Sequence, residues 1–350
     1  HRSTRHLRQV VKQHEHALEP VLPKVEQSNS SIILRDTSGQ GLFILKLFRR
    51  LEPGINPELE LSRFLTQKAK FEHAPRYAGA IEYRTARKAT MTLAVLQEFV
   101  PNEGDAWEYT CGAVRDYFEQ AAVRSEEIKG GLLKNALPDA LAVETPDALA
   151  VEMIGEYLET ARLLGERTGQ MHAALASDAN SAEMAPERFL HFHRHALCHE
   201  VLGRLRAALR QLQCEVTALP EPVQAIARDV LARGGQVAGR LKSLRESRIS
   251  AKRIRIHGDY HLGQVLYTGK DLVIIDFEGE PAAPMSERRL KHTPLRDVAG
   301  MLRSFHYASQ FLLAGDVTDP IMRAEDRTVL EEAAKFWYAW VRATFMSGYL

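Results

Sequence analysis

Disulfide chemistry, membrane-spanning segments and a field for polyanions are all missing from this sequence. Its only cysteines are Cys111, Cys198 and Cys214. They lie far apart with no CxxC pair, which argues against a disulfide framework or a structural zinc site and for a reducing compartment. No apolar run approaches the ~20 residues of a membrane helix, and His1-Arg2-Ser3-Thr4-Arg5 does not lead into a signal-peptide core. A soluble, unsecreted, cytoplasmic protein is the expectation. Lys and Arg total 46 against 45 Asp and Glu, a net charge of +1, so nothing global attracts nucleic acid or an anionic membrane. Any phosphate binding must be local. Repeats and low-complexity tracts are absent as well. The chain starts without Met and stops soon after the helical-looking stretch 331–345, which suggests a piece of something longer.

What is there is an ordinary globular composition, 45% hydrophobic and 26% charged over 350 residues, long enough for two lobes and a cleft. From residue 24 to 100 the pattern is strand and turn. Ser31-Ile32-Ile33-Leu34, a polar turn at 36–41 and Leu42 to Phe48 predict a hairpin. Asn56 then offers a helix cap, with Pro57 at the first helical position and Leu59, Leu61, Phe64 and Leu65 as apolar positions. A long strand follows over 90–100. From about 105 to 247 the three- and four-residue apolar spacing predicts helices, with loops at 135–147 and 178–186. A second hairpin, Val265-Leu266-Tyr267 and Leu272 to Ile275, interrupts the helical part, with carboxylates just before and after it.

Phosphoryl transfer needs a base for the acceptor hydroxyl, metal ligands at the phosphates and a cation on the nucleotide. In kinase-like folds these parts come in a fixed order. The sequence supplies them in that order: Lys46 in a strand, Glu58 or Glu60 on the next helix, Asp259, Gln264 five positions on, and Asp276 at the end of the second hairpin. Singly, a strand lysine is usually a solvated edge and an aspartate after a strand a turn residue; the order carries the reading. A lysine among Ile44, Leu45, Leu47 and Phe48 must be paired. Glu58 is the better partner, since it shares a helix face with Leu61 and Leu65 and lies about 200° from Glu60. The backbone of 97–100 (Gln97, Glu98, Val100), where the strands end, is expected to read the adenine, with the Gln97 side chain of little consequence. No GxGxxG is present. The small polar run Glu26-Gln27-Ser28-Asn29-Ser30-Ser31 stands in its place, and its hydroxyls, amides and N–H groups can hold phosphate oxygens.

That run, together with Leu45-Lys46-Leu47-Phe48-Arg49-Arg50-Leu51-Glu52-Pro53-Gly54-Ile55-Asn56-Pro57-Glu58, His257-Gly258-Asp259-Tyr260-His261-Leu262-Gly263-Gln264, Asp276-Phe277-Glu278-Gly279-Glu280-Pro281 and Pro294-Leu295-Arg296-Asp297-Val298-Ala299-Gly300-Met301, resembles the maltokinase family. The resemblance spans about 25–350, and the same module occurs as the C-terminal part of trehalose synthase/maltokinase fusions. It implies an α+β, bilobal, aminoglycoside-phosphotransferase-like fold: a remnant of an N-terminal cap at 1–24, a β-rich nucleotide-binding N-lobe at 25–100, and a mainly helical C-lobe with the catalytic loop and acceptor site at 101–350. It also implies ATP and Mg²⁺ as cofactors, maltose as acceptor, maltose 1-phosphate as product and a fused or associated trehalose synthase as partner. By position, Asp259 would be the base, Gln264 and Asp276 the Mg²⁺ ligands and Lys46 the phosphate-binding lysine, with Gln27, Ser28, Asn29 and Ser30 in the phosphate loop. Two other readings stay open: a kinase of the same fold for aminoglycosides or choline, and a catalytically silent module serving a fused partner.

Four further groups have plainer readings. His191, His193, His195 and His199 lack an HExxH pattern and read as a solvated helix face or groove lining. His261, Glu278 and Glu280 are the nearest candidates for sugar contact. In an extended segment Glu278 and Glu280 would point the same way, toward a metal or sugar hydroxyls. Arg288, Arg289 and Lys291 read as a solvated basic loop, and Asp297 as a helix cap or a brace for the catalytic loop.

Overall fold

A computed structural model describes residues 2–13, 18–22, 29–86, 90–246, 250–314 and 326–350. Its contacts separate two compact units, His1–Ala185 with Ile254–Leu350, and Pro186–Arg253. The first unit opens with β1 (Arg2–Ser3), α1 (Arg5–Gln13) and β2 (Glu19–Val21). It continues through β3 (Ser30–Arg35), β4 (Gly41–Leu47), α2 (Pro57–Phe64), β5 (Tyr77–Arg84) and β6 (Thr90–Glu98). It then turns helical, with α3 (Ala106–Val123), α4 (Ser125–Lys129), α5 (Ala148–Ile154) and α6 (Tyr157–Leu175).

The second unit holds β7 (Glu187–Arg188), α7 (His191–Glu215), α8 (Glu221–Glu246) and β8 (Lys252–Arg253), the two short strands pairing antiparallel. Back in the first unit come β9 (Val265–Tyr267), β10 (Leu272–Ile274), α9 (Met285–Arg288), α10 (Leu295–Ala314) and α11 (Arg327–Tyr349).

The six-stranded sheet has the order β1-β5-β6-β4-β3-β2, antiparallel throughout. The first hairpin forms where the sequence predicts it, its turn closed by Asp36, whose Oδ1 accepts the N–H groups of Ser38 and Gln40 at 2.9 Å. On β4, Lys46 pairs across from Ser31 on one side and Val95 on the other. Period two puts Ile44 and Lys46 on one face and Phe43, Leu45 and Leu47 on the opposite one. The expected cap of α2 is present too, the Asn56 side chain accepting the N–H of Glu58 at 2.8 Å.

A large apolar cluster fills the helical part, with Tyr117, Phe305, Trp337 and Phe345 among its fully buried side chains. Each such residue adds roughly 1.5–3 kcal/mol by leaving water. The close approach of α6 and α11 depends on glycine. A Cβ at Gly165 would run into the Phe345 carbonyl, and one at Gly348 into the Arg162 carbonyl. That approach brings Tyr349 of α11 against His172 of α6, whose Nδ1 lies 3.1 Å from the phenolic oxygen.

Candidate functional site: a phosphotransfer cleft

The face of β4 that carries Ile44 and Lys46 borders a cavity of about 370 Å³. Glu58 and Gln97 to Val100 line it from the sheet side, and Gly263, Gln264, Leu266, Ile275 and Asp276 from the second hairpin. Ile44, Phe99, Leu266 and Ile275 give it apolar walls, and the charged groups gather at Lys46. This ammonium pairs with the Asp276 carboxylate and, at 3.1 Å, with Glu278 Oε1. Burial opposes its charge, but Asp276, Glu58 and Glu278 outweigh that and raise the Lys46 pKa. For Asp276 burial pulls upward, yet Lys46, His257 and the Gln264 side-chain hydrogen bond leave its pKa lowered. Asp276 holds a left-handed backbone at φ 65°, a conformation Asp tolerates better than most residues.

Glu60 does not face this cleft. It accepts from Arg255 at 2.6 Å and Arg289 at 2.8 Å, which removes it as a partner for Lys46. Glu58 does face the cleft, as its position on α2 predicts, but it is not an ion-pair partner of Lys46. Its Oε1 accepts from Gln97 Nε2 at 2.7 Å and Ser62 Oγ at 3.3 Å. Burial pushes its pKa up to about 7, with Lys46 pulling down and Asp276 and Glu278 pushing up.

The Gln97 amide, expected to matter little, is therefore a buried strut that also bonds Ser62 at 2.8 Å. The backbone of this segment is less open than expected. Glu98 N–H bonds to Arg76 and Phe99 N–H to Leu42, both at 2.9 Å. Val100 N–H makes no backbone bond among the described residues, while Val100 C=O accepts from Asn102 at 2.8 Å. A Pro at Val100 should thus weaken ATP binding, whereas Gln97→Ala should chiefly lower the melting temperature. A calorimetric ATP titration beside a thermal melt checks the pair; unchanged ATP affinity in the Val100→Pro protein would exclude readout by that N–H.

The segment from His257 to Asp259 is held from behind. Asp297, on the first turn of α10, accepts the N–H of His257 at 2.8 Å and of Gly258 at 2.9 Å. His172 Nε2 stands 3.1 Å from the same carboxylate. Of the two readings open for Asp297, the brace is the one the hydrogen bonds show. His257 Nε2 lies 2.8 Å from the Ile275 carbonyl, which can only accept, so Nε2 carries the proton and Nδ1 is free to accept Asp259 N–H at 3.3 Å. Burial keeps that imidazole neutral by lowering its pKa. Asp259 is half-buried, and burial raises its pKa, helped by Glu280 and Asp276 and opposed by His261 and His257. His261 Nε2 lies 4.0 Å from Asp259 Oδ2, while its Nδ1 accepts the Gly263 N–H.

Glu278 and Glu280 do not point the same way. Gly279 between them sits at φ 75°, which breaks the extended alternation the expectation relied on. Glu278 turns to Lys46 and to Asn29 Nδ2, 2.7 Å away, while Glu280 Oε1 accepts the Ala282 N–H at 3.4 Å within its own turn. Of the phosphate-loop candidates, Gln27 and Ser28 lie outside the described residues, Asn29 is bound to Glu278, and Ser30 Oγ accepts from Arg49 at 3.1 Å.

The basic cluster is not a solvated loop either. Arg288 pairs with Glu52 at 2.9 Å, Arg289 with Glu60, and the buried Lys291 donates to the Ala182 carbonyl at 2.8 Å. Arg255 went unnoticed in the sequence, although a charge inside Ile254-Arg255-Ile256 was a signal that it needed a buried partner. In the second unit the His191 and His195 Nε2 atoms are 2.9 Å apart. No group of three His, Cys, Asp or Glu side chains placed to hold a metal ion exists among the described residues.

An antiparallel sheet that presents a lysine to a hairpin-borne aspartate, above a helical part, is the kinase-like fold of the small-molecule phosphotransferases. The sequence profile of the phosphotransferase enzyme family (APH) matches residues 136–313, and the chain belongs to that family. A glucosamine kinase of Mycolicibacterium smegmatis is 26% identical over 290 residues, 81% of this chain and 58% of that protein. The chain thus spans little more than half the length of that relative. Two solved structures, glucosamine kinase in crystal form A and glucosamine kinase in complex with glucosamine, ADP and inorganic phosphate, superpose with TM-scores of 0.64 and 0.62 at 20% identity. Each covers 98% of this chain, which covers 68% and 70% of them in turn. No helix among the described residues is long and apolar enough to cross a membrane.

Proposed function

We propose that this chain is an ATP- and Mg²⁺-dependent sugar kinase that phosphorylates maltose at its anomeric hydroxyl, giving maltose 1-phosphate. The observation that supports it most is the meeting of Lys46, Asp276 and Gln264 in one cleft with apolar walls, with Asp259 on the adjoining loop. Asp276 and Gln264 line the same cleft, the Gln264 amide bonding the Asp276 carboxylate; a carboxylate and an amide oxygen would together suit Mg²⁺, which keeps waters and takes its other ligands from phosphates. Bound there, Mg²⁺ would neutralise charge on the β- and γ-phosphates. Lys46 carries the cation for the phosphates, and the apolar walls take the adenine. Asp259 accepts the proton of the sugar hydroxyl as its oxygen bonds to the γ-phosphorus and ADP leaves. In this reading residues 25–100 bind the nucleotide, 101–350 carry the acceptor site, and a trehalose synthase is the fused or associated partner.

The acceptor's identity as maltose rests on the sequence resemblance. A second reading, an amino sugar, draws on the glucosamine kinases among the relatives and on Glu280, whose negative charge bears on Asp259, since carboxylates favour a cationic acceptor. A site that hydrogen-bonds a second ring discriminates strongly against an acceptor without one. Incubation with ATP, Mg²⁺ and a panel of maltose, glucose, glucosamine, trehalose and kanamycin, with phosphorus NMR of the product, separates the readings. Maltose should be used in strong preference to glucose and yield a 1-phosphate. A 6-phosphate, or glucose used as readily as maltose, would remove the maltose assignment; preference for glucosamine would put the second reading in its place.

A further inference from the structure

Glu278 is buried, and a single one of its two oxygens, Oε1, takes both the Asn29 amide at 2.7 Å and the Lys46 ammonium at 3.1 Å. Three pieces of the site therefore meet on one atom: the residue just before β3, the C-terminal end of β4 and the turn after β10. The turn is itself held, Arg288 donating to the Glu278 carbonyl at 3.3 Å and to Glu52 at 2.9 Å. The helix carboxylate that a kinase-like order assigns to the lysine is engaged elsewhere. Glu58 Oε1 accepts from Gln97 and Ser62, and its Oε2 is buried without a partner among the described residues.

We propose that Glu278, two residues beyond Asp276, is the carboxylate that positions Lys46 for the nucleotide phosphates, and that through Asn29 it sets the pose of the polar loop entering β3. The inference rests on the kinase reading of this cleft. Asp276 cannot serve as the lysine's lasting partner if its oxygens turn to Mg²⁺, whereas Glu278 can hold the ammonium throughout. Gly279 is what permits this, because its positive φ turns Glu278 away from Glu280 and toward β4.

The test is a set of variants: Glu278→Gln, Asn29→Ala, the double variant and Glu58→Gln. Each is read by Mg-ADP titration calorimetry, by KM for ATP and for the acceptor, and by a thermal melt without nucleotide. Glu278→Gln should weaken Mg-ADP binding and raise KM for ATP about tenfold while KM for the acceptor stays within about twofold. Asn29→Ala should act in the same direction with a smaller effect, and the double variant should fall short of the product of the two, as groups sharing one interaction do. Glu58→Gln should alter the melting temperature more than the ATP KM. A Glu58→Gln effect on ATP KM as large as that of Glu278→Gln overturns the assignment, as does multiplicative behaviour of positions 29 and 278. If the unaltered protein binds no Mg-ADP, the kinase reading itself falls; if it binds and Glu278→Gln binds equally well, only the role of Glu278 falls.

Discussion

Asp259→Asn should lower turnover by about 10²- to 10⁴-fold, the usual contribution of a general base, while nucleotide affinity stays within about twofold. The substitution is well matched to the local structure. What fixes this loop is backbone: Asp259 N–H on His257 Nδ1, and the N–H groups of His257 and Gly258 on Asp297. An asparagine leaves all of these intact and removes only the basic oxygen. Asp259 is also absent from the lining of the nucleotide-sized cavity, so ATP binding has no reason to change.

Burial raises the Asp259 pKa, which brings a carboxylate closer to useful basicity and sets the direction of the pH response. The base is active when ionised, so kcat of the unaltered protein should fall as pH drops through that raised pKa, and the asparagine variant should lose this acidic limb. Steady-state rates with maltose from about pH 4.5 to 8, a range that brackets a raised carboxylate pKa, measure both. An unchanged turnover in the variant would remove Asp259 from the chemistry.

Much of this arrangement was legible because the signals were local. Asn56-Pro57 announces a helix start, and the cap forms. The apolar neighbours of Lys46 announce a strand buried on one or both faces, and the sheet places Ile44 and Lys46 together on the cleft. The interval from Asp259 to Gln264 and Asp276 follows from a tight turn and a short hairpin. What stayed hidden depended on contacts between segments far apart in sequence. Nothing near Glu60 reveals that Arg255 and Arg289 come to it from 195 and 229 positions away. Nothing near Gln97 reveals that its amide will be buried against Glu58. Glu278 and Glu280 were misjudged for a different reason. Alternation assumes extended backbone, and the positive φ of Gly279 breaks it. A glycine between two acidic residues was the available warning.

The Mg²⁺ dependence of nucleotide binding should disappear when Asp276 loses its charge. Asparagine is the informative replacement, because φ at this position is 65° and alanine would add left-handed backbone strain of about 1–2 kcal/mol to the loss of a ligand. Asp276→Asn leaves only neutral amide oxygens, that of the replacement side chain and that of Gln264, which are poor ligands for a hard cation that prefers carboxylate. A drop of at least about 10²-fold in Mg-ATP affinity is expected, beyond the roughly 10- to 100-fold typical of losing a group that only supports a metal ligand. The sign without metal is opposite. Asp276 faces Lys46 directly, and as an anion it repels unscreened phosphates and competes for the ammonium; neutralising it should leave metal-free ATP binding unchanged or tighter. Titration calorimetry with ATP in excess Mg²⁺ and in EDTA should therefore give two nearly equal affinities for the variant and two very different ones for the unaltered protein. If the variant keeps the full gain from Mg²⁺, the cation is held elsewhere, and Glu278, whose carboxylate lies beside Asp276 on Lys46, becomes the residue to substitute next.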